Sequence, residues 1–244
     1  MPDLEETDPL VHLAGTVAHE LNNIFTAVTG NLSLLESGGA QGGHNAGVIS
    51  DVLRTANRGI ELSQKLQAFA GRQKLNRTLF DLNRTVASVI TGLKRSVLRN
   101  VDIDLALLPT ACFVAADEEK FQHVLEELAS NAAAAMSHRG WIIVRTEYAT
   151  LSTHEVGKLP EGQYIKLTVR DSGSGMSPDV IRRALDPLFS TRPGHQGWGL
   201  ARCAGFLRQC GGDIVLTSTK GQGTAAAIYL PRRSDAVQPI GAAA

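Results

Sequence analysis

Ile165-Lys-Leu-Thr-Val-Arg-Asp171-Ser-Gly-Ser-Gly-Met176 joins two patterns that cannot belong to one element. Up to Arg170 apolar and polar side chains alternate, the period of a strand with one buried face. From Asp171 onward the serines and glycines punctuate the chain and end that strand. A carboxylate is left at the strand end. It can accept a hydrogen bond from an exocyclic amine such as that of adenine, and the glycines let a base approach without a Cβ in the way. The same residues also make an ordinary Asp-Ser-Gly turn.

Around this strand, which the pattern starts at residue 164, the second half of the chain mixes both periods. An extended entry is expected at 79–83, helices at 82–99, 118–136, 178–185 and 199–210, and strands at 101–107, 112–115 and 141–148. Asp117 is placed to N-cap the 118–136 helix. A hairpin of 214–219 and 224–230 turns across Lys220-Gly-Gln-Gly223. Strands and helices in this order predict an α/β sandwich with helices on one face of a mixed sheet. Residues 234–244 read as a flexible tail.

The first half carries only the helical period. Leu10, Ala14, Val17, Leu21, Ile24 or Phe25, Val28, Leu32 and Leu35 form one seam, which stops at the glycine-rich residues 37–43. Ile49, Leu53, Ala56, Ile60, Leu66 and Phe69 form a second, ending in the basic residues 71–74. Two antiparallel helices cannot bury both faces alone, so two copies are expected to complete a four-helix bundle as a homodimer. The expected class is α+β: a helical dimerisation domain at 1–76, the α/β domain at 77–233 and the tail.

Composition bounds the rest. The chain has 244 residues, 43% hydrophobic and 20% charged, with 24 basic and 24 acidic side chains. Balanced charge points to neither a nucleic-acid nor a membrane surface. No apolar run approaches the roughly 18 residues of a membrane span, and the acidic start lacks a signal peptide's features. Cys112, Cys203 and Cys210 show no metal-ligand spacing. Cys203 and Cys210 would lie about 10 Å apart along a helix, beyond disulfide reach. Reduced packing cysteines and a cytoplasmic location are expected.

Several residues are suited to chemistry. His19 sits on the first helix beside Glu20, with Asn23 one turn on. A neutral imidazole can take a phosphoryl group on nitrogen, and a neighbouring carboxylate can fix its tautomer and take the proton. Glu127 and Asn131, four apart on one helix face, offer paired oxygens of the kind that hold Mg²⁺ beside phosphates. Gly197-Trp-Gly-Leu200 opens a helix whose N-terminus suits a phosphate. Arg192, in Phe189-Ser-Thr-Arg-Pro193, is placed to reach a terminal phosphate. A solvated Glu, a helix-end Asn or a short glycine loop would each account for one of these alone.

Taken in order, these segments resemble a bacterial sensor histidine kinase of two-component signalling over about residues 10–232. Ala18-His-Glu-Leu-Asn-Asn23 is similar to the phosphoacceptor box, Glu127 to Asn131 to the N box and Asp171 to Gly175 to the G1 box. Phe189 to Pro193 is similar to the F box, Gly197 to Leu200 to the G2 box, and Gly221 to Thr224 to the closing hairpin. The resemblance implies a Bergerat-type, Hsp90-like ATP-binding domain behind the helical hairpin. It implies autophosphorylation of His19 by ATP and Mg²⁺, Glu20 as base, and transfer to an aspartate on a response-regulator receiver domain. Asn131 with Glu127 would hold Mg²⁺. Asp171 would read adenine, and Gly173, Gly175, Gly197, Gly199, Leu200 and Thr224 would shape the pocket and its lid.

It also implies that Asn23 can orient a water for phosphatase action on the partner, and that a separate sensor protein or domain supplies the input. Departures are the alanines at 132–135, a short 189–197 lid, Trp198 in the loop beside it, and Ala225 to Ala227 in the last strand. Two other readings stand beside the kinase. One is a phosphotransfer adaptor whose second domain binds no ATP. The other is a related ATPase that works by conformational change.

Overall fold

The computed structural model describes residues 23–30, 32, 49, 52, 54–56, 59, 74–137, 139–192 and 195–233. The order is β1 (Thr78–Asp81), α1 (Leu82–Lys94), β2 (Val101–Ala106), β3 (Phe113–Ala116), α2 (Glu118–Ala135), β4 (Gly140–Leu151), β5 (Gly162–Asp171), α3 (Pro178–Arg183), α4 (Gly199–Gln209), β6 (Asp213–Ser218) and β7 (Thr224–Pro231).

Five strands form a sheet ordered β2-β4-β5-β7-β6, in which β2 runs parallel to β4 and the other pairs are antiparallel. β1 and β3 pair separately. β5 lies at the centre because its inward positions Ile165, Leu167 and Val169 are apolar and buried, while Lys166, Thr168 and Arg170 alternate outward. Helices cover that inner face, giving the predicted mixed α/β sandwich. α2 turns Phe121, Val124, Leu125, Leu128, Ala129 and Ala132 into the core and packs against both α1 and α4. Asp117 caps it by accepting from the Lys120 N–H at 3.2 Å, and Glu118 and Glu119 complement the dipole at its first turn.

Two expectations change. The first helix of the domain ends at Lys94, not residue 99. The chain curls back so that the Leu98 N–H donates to the Leu93 carbonyl at 2.9 Å, and Leu98 is fully buried. Burying that side chain outweighs another helical turn. The β4–β5 hairpin is longer than its alternation suggested, pairing out to Leu151 and Gly162. Its end is held by a small separate core of Leu151, Val156, Leu159 and Tyr164. The other boundaries lie within two residues of expectation, and all three cysteines are buried and free.

In the first half, the described residues 23–30, 49, 52, 54–56 and 59 are helical. A Cβ on Gly59 would sit 3.3 Å from Ile24, so the two helical stretches touch there. His19, Glu20 and the 234–244 tail lie outside the described residues.

Candidate nucleotide-binding cleft

Between α2, the end of β5, α3 and the start of α4 lies an open cleft of about 570 Å³. Its two ends differ in chemistry.

At one end stands Asp171, the last residue of β5, 7% exposed. Its Oδ1 accepts two backbone N–H groups, from Gly173 at 2.8 Å and Thr224 at 3.2 Å. Its other oxygen makes no hydrogen bond to any described residue. Burial pushes the Asp171 carboxyl above the usual carboxylate range, and the two N–H donors offset part of that rise. A buried carboxylate with one oxygen satisfied and one open suits an amine donor. Val169, Leu216, Ala226 and Met176 give this part of the cleft apolar walls, as a purine ring requires.

The turn after Asp171 depends on glycine. Gly175 has φ +62°, and a Cβ there would collide with the Thr219 carbonyl. Gly173 does not line the cleft. It packs on Ala135 and acts through its N–H on Asp171. The Thr224 hydroxyl is paired with Ser218 at 2.9 Å, so Thr224 serves Asp171 through its backbone.

At the other end polar side chains bind one another. Asn131 Nδ2 donates to Glu127 Oε1 at 3.1 Å, and Arg192 Nη1 donates to Asn131 Oδ1 at 3.1 Å. The sequence places Arg192 toward a phosphate; the structure brings it onto Asn131. Gly199, at the start of α4, lies so close to the Glu127 carboxylate that a Cβ would overlap it. Gly197, φ +69°, passes against the backbone of Leu188 and Phe189. Arg183 covers the Phe189 ring at 4.3 Å. Leu200 lines the cleft, as does Trp198, which is 4% exposed and leaves the volume open.

The cleft therefore gathers Glu127, Asn131, Asp171, Gly175, Arg192, Gly197, Gly199, Leu200 and Thr224. Asn23 is exposed on its helix. Sequence reasoning missed the apolar walls and Arg202. Val169 and Ala226 are inward-facing register partners on β5 and β7; the alternation of β5 carried the signal for Val169, whereas the alanine run 225–227 hid that of Ala226.

The oxygens of Glu127 and Asn131 fit a magnesium ion. Both are hard donors one helical turn apart, and Mg²⁺ takes one or two such groups together with phosphate and water. The guanidinium on Asn131 Oδ1 already places positive charge on that oxygen.

Comparison with known proteins agrees with this geometry. Residues 116–234 match the family described as histidine kinase-, DNA gyrase B- and HSP90-like ATPase. Sensor kinase CckA of Brucella abortus is 31% identical over 237 residues, covering 95% of this chain and 25% of CckA. Sensor histidine kinase ZraS of Klebsiella oxytoca is 27% identical over 228 residues, 93% of this chain and 47% of ZraS. The chain thus spans between a quarter and a half of these relatives' length.

Full-length ShkA in complex with AMPPNP shares the fold, with TM-score 0.57 at 20% identity over 93% of this chain and 47% of ShkA. ThkA in complex with the response regulator protein TrrA does so with TM-score 0.56 at 20% identity over 92% of this chain and 62% of that one. With Asp171 on the wall of an open cleft and Glu127 and Asn131 facing it from α2, residues 116–234 form a domain of the histidine kinase-, DNA gyrase B- and HSP90-like ATPase family, and the chain is similar along most of its length to sensor histidine kinases.

Proposed function

We propose that the chain is an ATP-dependent protein histidine kinase that phosphorylates its own His19 and passes the group to an aspartate on a response-regulator receiver domain. The observation that carries this reading is the buried Asp171 carboxylate, one oxygen held by two backbone donors and the other open toward the cleft.

The purine amine donates to Asp171, and the triphosphate extends toward Glu127, Asn131 and Arg192. Mg²⁺ held by Asn131 and Glu127 supplies charge neutralisation on the phosphates when bound. Arg192 leaves Asn131 for the terminal phosphate. Phosphoryl transfer needs positioning and charge compensation more than covalent help. A His19 nitrogen forms the bond to the terminal phosphorus, the bridging P–O bond breaks, ADP leaves, and the imidazole proton passes to Glu20. Residues 1–76 supply the homodimeric helical bundle that carries His19, residues 77–233 the ATP-binding domain, and 234–244 a tail. The setting is cytoplasmic, with input from a separate sensor protein or domain. Among the described residues no helix is long and apolar enough to cross a membrane.

Asn23, exposed on its helix, supports a second activity, orientation of water for dephosphorylating the receiver. The open cleft counts against an adaptor whose second domain binds no nucleotide.

Incubation of the whole chain with γ-labelled ATP and Mg²⁺ tests the proposal. Acid-labile, alkali-stable label is expected on the wild type and absent from His19→Ala. Label that survives in His19→Ala, or ATP binding with no label at all, would overturn it.

A further inference from the structure

Of the permanently charged side chains facing the cleft, one guanidinium is left without a partner among the described residues. Among the described lining residues the carboxylates are Glu127 and Asp171, the guanidinium groups are Arg192 and Arg202, and His195 adds an imidazole. Beyond Asn131, α2 contributes Ala132, Ala134 and Ala135 and therefore no charge. Arg192 is engaged on Asn131. Arg202 is not: among the described residues its guanidinium makes no hydrogen bond, ion pair or ring contact.

Its place is fixed by the helix. The Arg202 N–H donates to the Trp198 carbonyl at 2.9 Å, which sets it in the first turn of α4. Gly199 and Arg202 are three residues apart and share a face. Gly199 abuts the Glu127 carboxylate, so Arg202 stands toward the same polar end of the cleft. A planar fork of N–H donors at a helix start is suited to phosphate oxygens.

We infer that Arg202 is a polyphosphate-binding residue of this cleft, a second cation that holds the nucleotide's phosphate chain while Arg192 exchanges between Asn131 and the terminal phosphate. The inference rests on the nucleotide reading above and adds a residue to it.

Affinities for ATP and for adenosine, measured calorimetrically on the whole chain as wild type, Arg202→Ala, Arg202→Gln and Arg202→Lys, test it. Losing a charge-assisted phosphate contact should weaken ATP by about tenfold or more in the alanine and glutamine variants. Adenosine affinity should stay within about twofold, and lysine should fall between. Unchanged ATP affinity would overturn the assignment. Equal loss of ATP and adenosine would also overturn it, since that marks a structural role. A wild type that binds no ATP would remove the nucleotide reading and this inference together, whereas a wild type that binds ATP beside insensitive Arg202 variants removes this inference alone.

Discussion

One end of the cleft is a single buried carboxylate on the last residue of a central strand, and the other is a half-exposed mesh of side chains from α2, the segment at Arg192 and α4. Asp171 is held by backbone donors from two different segments, so its orientation is set before any ligand arrives. Glu127, Asn131 and Arg192 satisfy one another, and the proposed function has them exchange partners when a nucleotide and its metal enter. Under the function proposed above, the base end supplies recognition, and the phosphate end supplies rearrangement and chemistry.

If that division holds, changes at the two ends fail in different ways. The largest effect falls on rate. Asn131→Ala should slow autophosphorylation by roughly 1000-fold, the scale for removing a group that stabilises transition-state charge. Adenosine affinity should hardly move. Comparable losses in both would erase the distinction between the ends.

Next comes affinity at the base end. Asp171→Asn keeps an Oδ1 to accept the Gly173 and Thr224 N–H groups but turns an amide donor toward the cleft. ATP binding should weaken by about 100-fold, the cost of a lost charged hydrogen bond plus an opposed donor. Stability should move the other way. Burial raises the native carboxyl above its unfolded value. The folded state therefore gains from the proton at pH below the ordinary carboxylate range, and that gain is lost as pH rises through the native value. Ionised Asp171 is thus a cost near neutral pH. Asp171→Asn should melt no lower than the wild type at about pH 7, any advantage vanishing near about pH 4. A lower melting temperature at neutral pH would contradict this.

A smaller and purely structural effect belongs to Gly175. Its left-handed backbone and the Thr219 carbonyl behind it leave no room for Gly175→Ala. That change should cost about 2 kcal/mol in denaturant unfolding. The smallest expected effect is none: burial pushes the Cys203 thiol up to about 12 and the Cys210 thiol up to about 11. Alkylation of the native domain at mildly alkaline pH should then proceed only as fast as it unfolds.

What could be read from sequence was what a short window contains. β5 and Asp171 were legible because alternation and a glycine turn are local, and α2 because its apolar stripe and Asp117 cap are local. The helix end near Lys94 was not, because Leu98 is drawn into a core that residues far along the chain build. The position of Arg192 on Asn131 and the outlook of Arg202 depend on how α4 packs against α2, which no short window contains. The 152–161 loop, with its own four-residue core, was invisible for the same reason.

If Asp171 reads an exocyclic amine as proposed, titrating the whole chain in Mg²⁺ with ATP and with inosine triphosphate will separate the two nucleotides. The hypoxanthine ring carries a carbonyl where adenine carries the amine, so a carboxylate at that point should repel it. ATP should bind about 100-fold more tightly than inosine triphosphate. Equal affinities, or no binding of ATP, would contradict it.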